Sequence, residues 1–216
     1  MRSPRNISDA AQTPEPGAMG RAIDVFKKSG GILNTKRAVE LGVHPRELYA
    51  LRDAGKLERL ERGLYRLANA KPLGNLDLVT VSHKVPKGVV CLISALAFHR
   101  LTTQIPHSVY LAIPANDQAP ALQYPPLRIF WYSKPVYESG IEEVTLDGTP
   151  VRVYSAEKTL ADCFKYRNKL GIDVCTEALN LYRQRERMRL DQIEQFAKVC
   201  RVERVMRPYL EAILER

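Results

Sequence analysis

The chain has 216 residues, 45% of them hydrophobic and 26% charged, which is the composition of a soluble globular protein with room for one large or two small cores. A net charge of +9 favours a polyanionic partner, while the longest apolar run, residues 88–98, is too short to span a bilayer. No charged-then-apolar leader precedes a cleavage-like site, so the chain reads as cytoplasmic, with no export and no membrane partner expected.

In chain order, residues 1–18 are polar and Pro-containing without periodicity and read as a disordered arm, in which Arg2 and Arg5 are offset by Asp9 and Glu15. A helix is predicted over residues 19–28, burying Ala22, Ile23 and Phe26 at helical spacing, with Gly30 and Gly31 ending it. The stretch ILNTKRAVELGVHPRELYALRDAGKLERLERGLYRL (32–67) then reads as a short helix, a Gly-containing turn, a second helix and a two-stranded hairpin. Ala38 allows two helices to approach, Gly42 suits a turn with positive φ, Pro45 suits a first helical position and Gly55 a helix stop. Val43 and Leu48 have the spacing of a hydrophobic staple.

Projecting residues 45–54 on a helix puts Leu48, Leu51 and Ala54 on one side and Arg46, Tyr49, Arg52 and Asp53 on the other. Glu47 falls at the third helical position, where a capping role is expected. An exposed face of two arginines and a tyrosine suits a helix lying in a DNA major groove, with Arg46, Tyr49 and Arg52 reading bases. An ordinary solvated amphipathic helix is the plain alternative. The hairpin that follows adds weight to DNA: Leu60, Leu64 and Leu67 are expected inward, and Arg59, Arg62 and Arg66 outward. Residues 19–70 thus read as a winged helix-turn-helix, with Lys36, Arg37, His44, Lys56, Arg59, Arg62 and Arg66 holding the DNA backbone. Charge distribution agrees. Residues 17–70 carry 11 Lys and Arg against 6 Asp and Glu, whereas residues 71–154 carry 7 against 6.

Residues 68–75 read as a linker, followed by a helix over 75–84 and a strongly apolar helix over 89–101. The pattern then turns to period two in SVYLAIP (108–114), LRIFWY (127–132) and IEEVTL (141–146), with Asp147-Gly148 making a hairpin to PVRVY (150–154). Ser155 is placed to cap a helix over 156–171, and three more helices complete the chain, the last kinked or restarted at Pro208. The overall expectation is α+β, with a C-terminal domain (71–216) of a small sheet packed with helices.

Catalytic patterns are missing. No nuclease-type E-x-K or D-x-K strand, no Gly-Ser nucleotidyltransferase loop and no P-loop occurs. Cys91, Cys163, Cys175 and Cys200 form no C-x-x-C pair and read as buried reduced thiols, and His99 and His107 have no third ligand spaced to join them. Neither metal nor cofactor is expected. Ser155, Lys158 and Asp162 form a polar cluster at a helix start: Ser155 as cap with Lys158 and Asp162 as an i, i+4 ion pair, or a site for an anion. Four arginines in RQRERMR (183–189) allow a solvated helix end or a second contact with DNA backbone.

Three stretches resemble the abortive-infection (AbiE-type) antitoxins of type IV toxin–antitoxin systems: residues 30–67, CLISALAFHRLT (91–102) and VYSAEKTLADCFKYRNKLGIDVCTEAL (153–179). The resemblance implies a winged-helix N-terminal and an α/β C-terminal domain. It also implies a repressor of its own operon, binding double-stranded DNA at inverted repeats, that counteracts a nucleotidyltransferase-like toxin without a stable complex. Two further readings stay open: a one-component regulator whose C-terminal domain senses a small molecule, and a nuclease with an unfamiliar site.

Overall fold

Ala22 and Phe26, one helical turn apart, point from α1 (Pro16–Lys28) into the first of the chain's hydrophobic cores. The computed structural model describes residues 16–70, 73–185 and 188–214, which fall into two compact units divided between residues 72 and 73. The architecture is mixed α and β, with one sheet in each unit. Helix α1 begins by Pro16, so the last three residues assigned to the arm are helical, while the rest of the expected arm lies outside the described residues.

In the first unit, β1 (Ile32–Asn34) leads into α2 (Thr35–Glu40), and α3 (Pro45–Asp53) is followed by β2 (Leu57–Glu61) and β3 (Leu64–Leu67). The sheet runs β1-β3-β2, antiparallel throughout. Strand β1 replaces the helical start expected at residue 32, because three residues are too few to show a period. Both helices end on the same device. Val43 N–H donates to Ala38 C=O and Gly42 N–H to Val39 C=O, each at 2.9 Å. After α3, Lys56 N–H donates to Leu51 C=O at 2.8 Å and Gly55 N–H to Arg52 C=O at 2.9 Å. These are Schellman closures, and they need a left-handed residue, supplied by Gly42 at φ 86° and Gly55 at φ 65°. The uneven spacing of Leu57, Leu60 and Leu64 has a local cause: the β2–β3 register slips between Arg59 and Glu61, leaving Leu60 in a bulge.

The second unit holds α4 (Leu76–Lys84), β4 (Val89–Val90), α5 (Leu92–Phe98), β5 (Val109–Pro114), β6 (Leu127–Tyr132), α6 (Lys134–Glu138), β7 (Ile141–Leu146) and β8 (Thr149–Tyr154). It closes with α7 (Ala156–Lys165), α8 (Arg167–Leu170), α9 (Ile172–Arg183), α10 (Leu190–Cys200) and α11 (Glu203–Leu214). The five strands run β6-β5-β4-β8-β7, with β5–β6 and β4–β8 parallel and the rest antiparallel. Alternation divides the sheet's faces. Val89, Tyr110, Ala112 and Tyr154 join the core under α7, α9, α10 and α11, while Val90, Val109, Leu111, Val151 and Val153 pack toward Val81 of α4.

The apolar helix expected over residues 89–101 is therefore a strand followed by a shorter helix. Val89 and Val90 sit mid-sheet, covered on both faces, and a strand buried on both sides reads as the same apolar run as a buried helix. Two other expectations change. Helix α7 stops at Lys165, with α8 a separate turn, and α11 starts at Glu203 and runs through Pro208 instead of restarting at it. All four cysteines are buried free thiols. Among the described residues no helix is long and apolar enough to cross a membrane.

Candidate nucleic-acid interface

Helix α3 owes its start to a reciprocal cap. Arg46 N–H donates to His44 Nδ1 at 3.2 Å, and His44 N–H donates to the Glu47 carboxylate at 3.0 Å. Val43 and Leu48, the staple pair, are both buried. With Leu48 and Leu51 fixed in the core, geometry turns the opposite face out, and Arg46 and Tyr49 are exposed, Tyr49 by 49%. His44 spends its Nδ1 on the cap, which leaves only its Nε2 edge for any other contact.

The basic residues around this face differ in how committed they are. Lys36, Arg46 and Lys56 are exposed and form no ion pair among the described residues. Arg37 pairs with Glu40 at 3.0 Å. Arg52 donates through Nε and Nη2 to one oxygen of Asp53, at 2.9 and 2.7 Å, and its guanidinium carbon lies 5.5 Å from the centre of the Tyr49 ring. In the hairpin, Arg62 is exposed and Arg59 Nε donates to Glu61 C=O at 3.4 Å. The hairpin turn is tied to the first helix of the pair, since Thr35 donates to Gly63 C=O through both its backbone N–H (2.9 Å) and its hydroxyl (3.3 Å).

Arg66 corrects an expectation. It does not stand out toward a partner: its side chain keeps 13% of its surface, pairs with Glu58 at 2.8 Å, and has its Nε buried without an acceptor. Strand β3 is the central strand, with β1 on the side that the sequence left empty, so Arg66 stands between two cross-strand neighbours, Ile32 and Glu58. Tyr65, its neighbour, is buried in the core with Leu64 and Leu67.

The second polar cluster is internal. Ser155 caps α7 by accepting from Lys158 N–H at 3.2 Å, and Lys158 Nζ lies 2.7 and 2.6 Å from the two oxygens of Asp162. Neither charged side chain reaches solvent, so this is a core pair and not the surface pair that its i, i+4 spacing suggests. The rings of Tyr154 and Tyr132 stand 4.3 and 5.1 Å from the ammonium, and Cys200 Sγ donates to Asp162 at 3.2 Å. Burial pushes the Asp162 carboxyl above the usual carboxylate range, with Lys158 opposing it. Full enclosure gives this cluster no surface on which to hold an anion.

The arginines at the end of α9 and beyond it are tied to their own chain, although Arg183 and Arg189 stay exposed. Arg183 donates to Ile213 C=O at 3.2 Å, Arg185 to His99 C=O at 2.6 Å, and Arg189 pairs with the buried Glu157 at 3.1 Å. These are clamps between helices, which the alternating spacing did not reveal; Arg187 lies outside the described residues. His99 donates from Nε2 to Tyr154 C=O at 2.7 Å and is far from a ligand-like setting. No group of three or more His, Cys, Asp or Glu that could hold a metal occurs among the described residues.

The helix pair, its exposed basic face and the tethered hairpin lie in a segment that is similar to a known family. Residues 21–68 match the family model described as "Transcriptional regulator, AbiEi antitoxin". The AbiEi-type segment thus runs from the first turns of α1 to just past β3 and contains every residue of the exposed face. The other two stretches that resemble the family in sequence, residues 91–102 and 153–179, lie outside the match. No curated protein matches the chain. Among solved structures, the RV2827C protein from Mycobacterium tuberculosis aligns with a TM-score of 0.48 at 12% identity, over 93% of this chain and 83% of that one.

Proposed function

We propose that the protein is a sequence-specific DNA-binding repressor that serves as the antitoxin of a type IV toxin–antitoxin system and regulates its own operon. The observation that carries the reading is the outward face of α3 in an AbiEi-type segment: Arg46, Tyr49 and Arg52 project from a helix whose other side is locked in the core. On this reading the N-terminal unit, residues 19–70, is a winged helix-turn-helix, with α3 in the major groove and the β2–β3 hairpin as the wing. Lys36 and Lys56 hold phosphates directly, and Arg62 adds a backbone contact from the hairpin turn. Arg37 and Arg59 reach them once released from their intramolecular partners, and Arg66 stiffens the sheet behind the wing. The C-terminal unit supplies the antitoxin role, acting against a nucleotidyltransferase-like toxin without a lasting complex, and no enzymatic step is assigned to either unit.

The test is a shift titration on DNA from immediately upstream of the gene, against scrambled competitor, with Arg46→Ala, Arg52→Ala beside the wild type. Selective binding lost in the double variant is the expected result. Binding indifferent to sequence or to the substitutions sinks the reading.

A second reading rests on one feature of the C-terminal unit. A cavity of about 490 Å³ opens between α4 and α5, lined by Leu76, Asp77, Ser94, Phe98, Ser108 and Tyr124 among others. That size suits a small molecule, as in a one-component regulator. Operator affinity that shifts when small-molecule fractions are added favours this reading; affinity indifferent to them favours the antitoxin.

A further inference from the structure

Asp53 is badly placed for a structural residue. It is exposed at the last position of α3, where the helix dipole disfavours a carboxylate, and its ion pair with a half-exposed Arg52 contributes little to stability. Adjacent residues on a helix do not ordinarily face one another, so the pair forms only because both side chains turn toward each other. On a face meant for a polyanion, a carboxylate is also electrostatically unfavourable. These costs call for a compensating role, and the geometry points to one.

The Arg52 guanidinium has five N–H donors in a fixed plane. Asp53 accepts from Nε and from Nη2, 2.9 and 2.7 Å away, which uses the side edge of the plane. The end edge is left free, with parallel N–H groups on Nη1 and Nη2. Their spacing matches two acceptors presented side by side, O6 and N7 of a guanine in the major groove. The Tyr49 ring, 5.5 Å from the guanidinium carbon, limits rotation of the plane from another side. We infer that Asp53 is a positioning residue that locks Arg52 for end-on reading of one guanine in each half-site.

The inference rests on the proposed DNA-binding role and adds to it a base identity and the residue that enforces it. It also separates two contributions of Asp53: repulsion of any DNA, and selection of one base.

The experiment is selection of binding sites by the full chain from a randomised duplex pool, for wild type, Arg52→Ala and Asp53→Asn, followed by affinities for the selected site and for its single-base variants. The wild type should enrich one invariant guanine per half-site, and Arg52→Ala should lose it. Asp53→Asn should bind random DNA more tightly, through the lost negative charge, while its preference for guanine at that same position falls about tenfold, the scale of one bidentate contact. Tighter binding with the guanine preference intact overturns the inference and leaves Asp53 as a repulsive charge only. So does loss of preference at a position that Arg52→Ala does not affect. A wild type that enriches no sequence overturns the functional reading itself, and this inference with it.

Discussion

Lys158 Nζ lies within 2.7 Å of both carboxylate oxygens of Asp162, one helical turn away, and neither side chain retains any solvent contact. The pair sits where α7 meets α10, the sheet residues Tyr132 and Tyr154, and the thiol of Cys200. Removing two charges from water is costly, and the pair's mutual attraction offsets that cost only while both members are present. Asp162→Ala should therefore destabilise the protein by about 3–5 kcal/mol in urea unfolding, by stranding an ammonium in the core. The double change Lys158→Met, Asp162→Leu should recover most of the loss. A double variant as unstable as the single one would show that the pair itself, and not the stranded charge, dominates.

Two half-buried histidines make stability depend on pH. Burial holds both His83 and His99 below the ordinary histidine range. For a base whose folded pKa is depressed, the unfolded chain takes up the proton first. The contribution is fully present above the unfolded value, about 6.5, and is lost as pH falls below it toward the folded value. Melting temperatures should decline from pH 7 to pH 5, and His99→Gln, which keeps a donor for Tyr154 C=O, should decline less steeply. Parallel curves for the two proteins would remove His99 from the account.

The turn before α3 can be tested through its backbone alone. Nothing lies within 4 Å of a Cβ built on Gly42, so Gly42→Ala meets no steric obstacle. It must still adopt φ near 86°, which should cost about 1–2 kcal/mol for an L-residue. Gly42→Asn should cost less, because asparagine tolerates the left-handed region. Equal losses in thermal unfolding would mean that the turn relaxes to another conformation.

Charge commitment inside the protein predicts which arginines and lysines DNA can use. Lys36→Gln and Lys56→Gln should each lower the slope of log affinity against log salt by about one unit. Arg183→Gln and Arg185→Gln should leave it unchanged, since both guanidiniums are bound to carbonyls of their own chain. A slope that falls with the latter pair would move the interface into the C-terminal unit.

What the sequence revealed of this structure depends on how local the determinants were. The capping of α3, the staple of Val43 with Leu48, and the stop at Gly55 act within a few residues of one another and were legible. So were the 141–154 hairpin and the Ser155 cap. Strands β1 and β4 were not, because each is too short to show alternation and exists only through partners far along the chain, Ile32 opposite Arg66 and Val90 opposite Val153. The same blindness misplaced Arg66, whose neighbouring strand was unseen. At the candidate interface, the outward set on α3 followed from the helical period, but a partner that decides a charge's freedom, such as Glu58 for Arg66, lies across a turn that no period reports.

The double tether from Thr35 to Gly63 C=O bears on the thermodynamics of encounter. A hairpin free to wander would surrender chain entropy at the moment it met a ligand, and the affinity of its basic residues would be reduced accordingly. Here that entropy is lost when the N-terminal unit folds, because the tip is already held at the start of α2. On the proposed function, association then meets a hairpin tip already in place, and selectivity among partners falls more to side-chain edges than to adjustment of this turn.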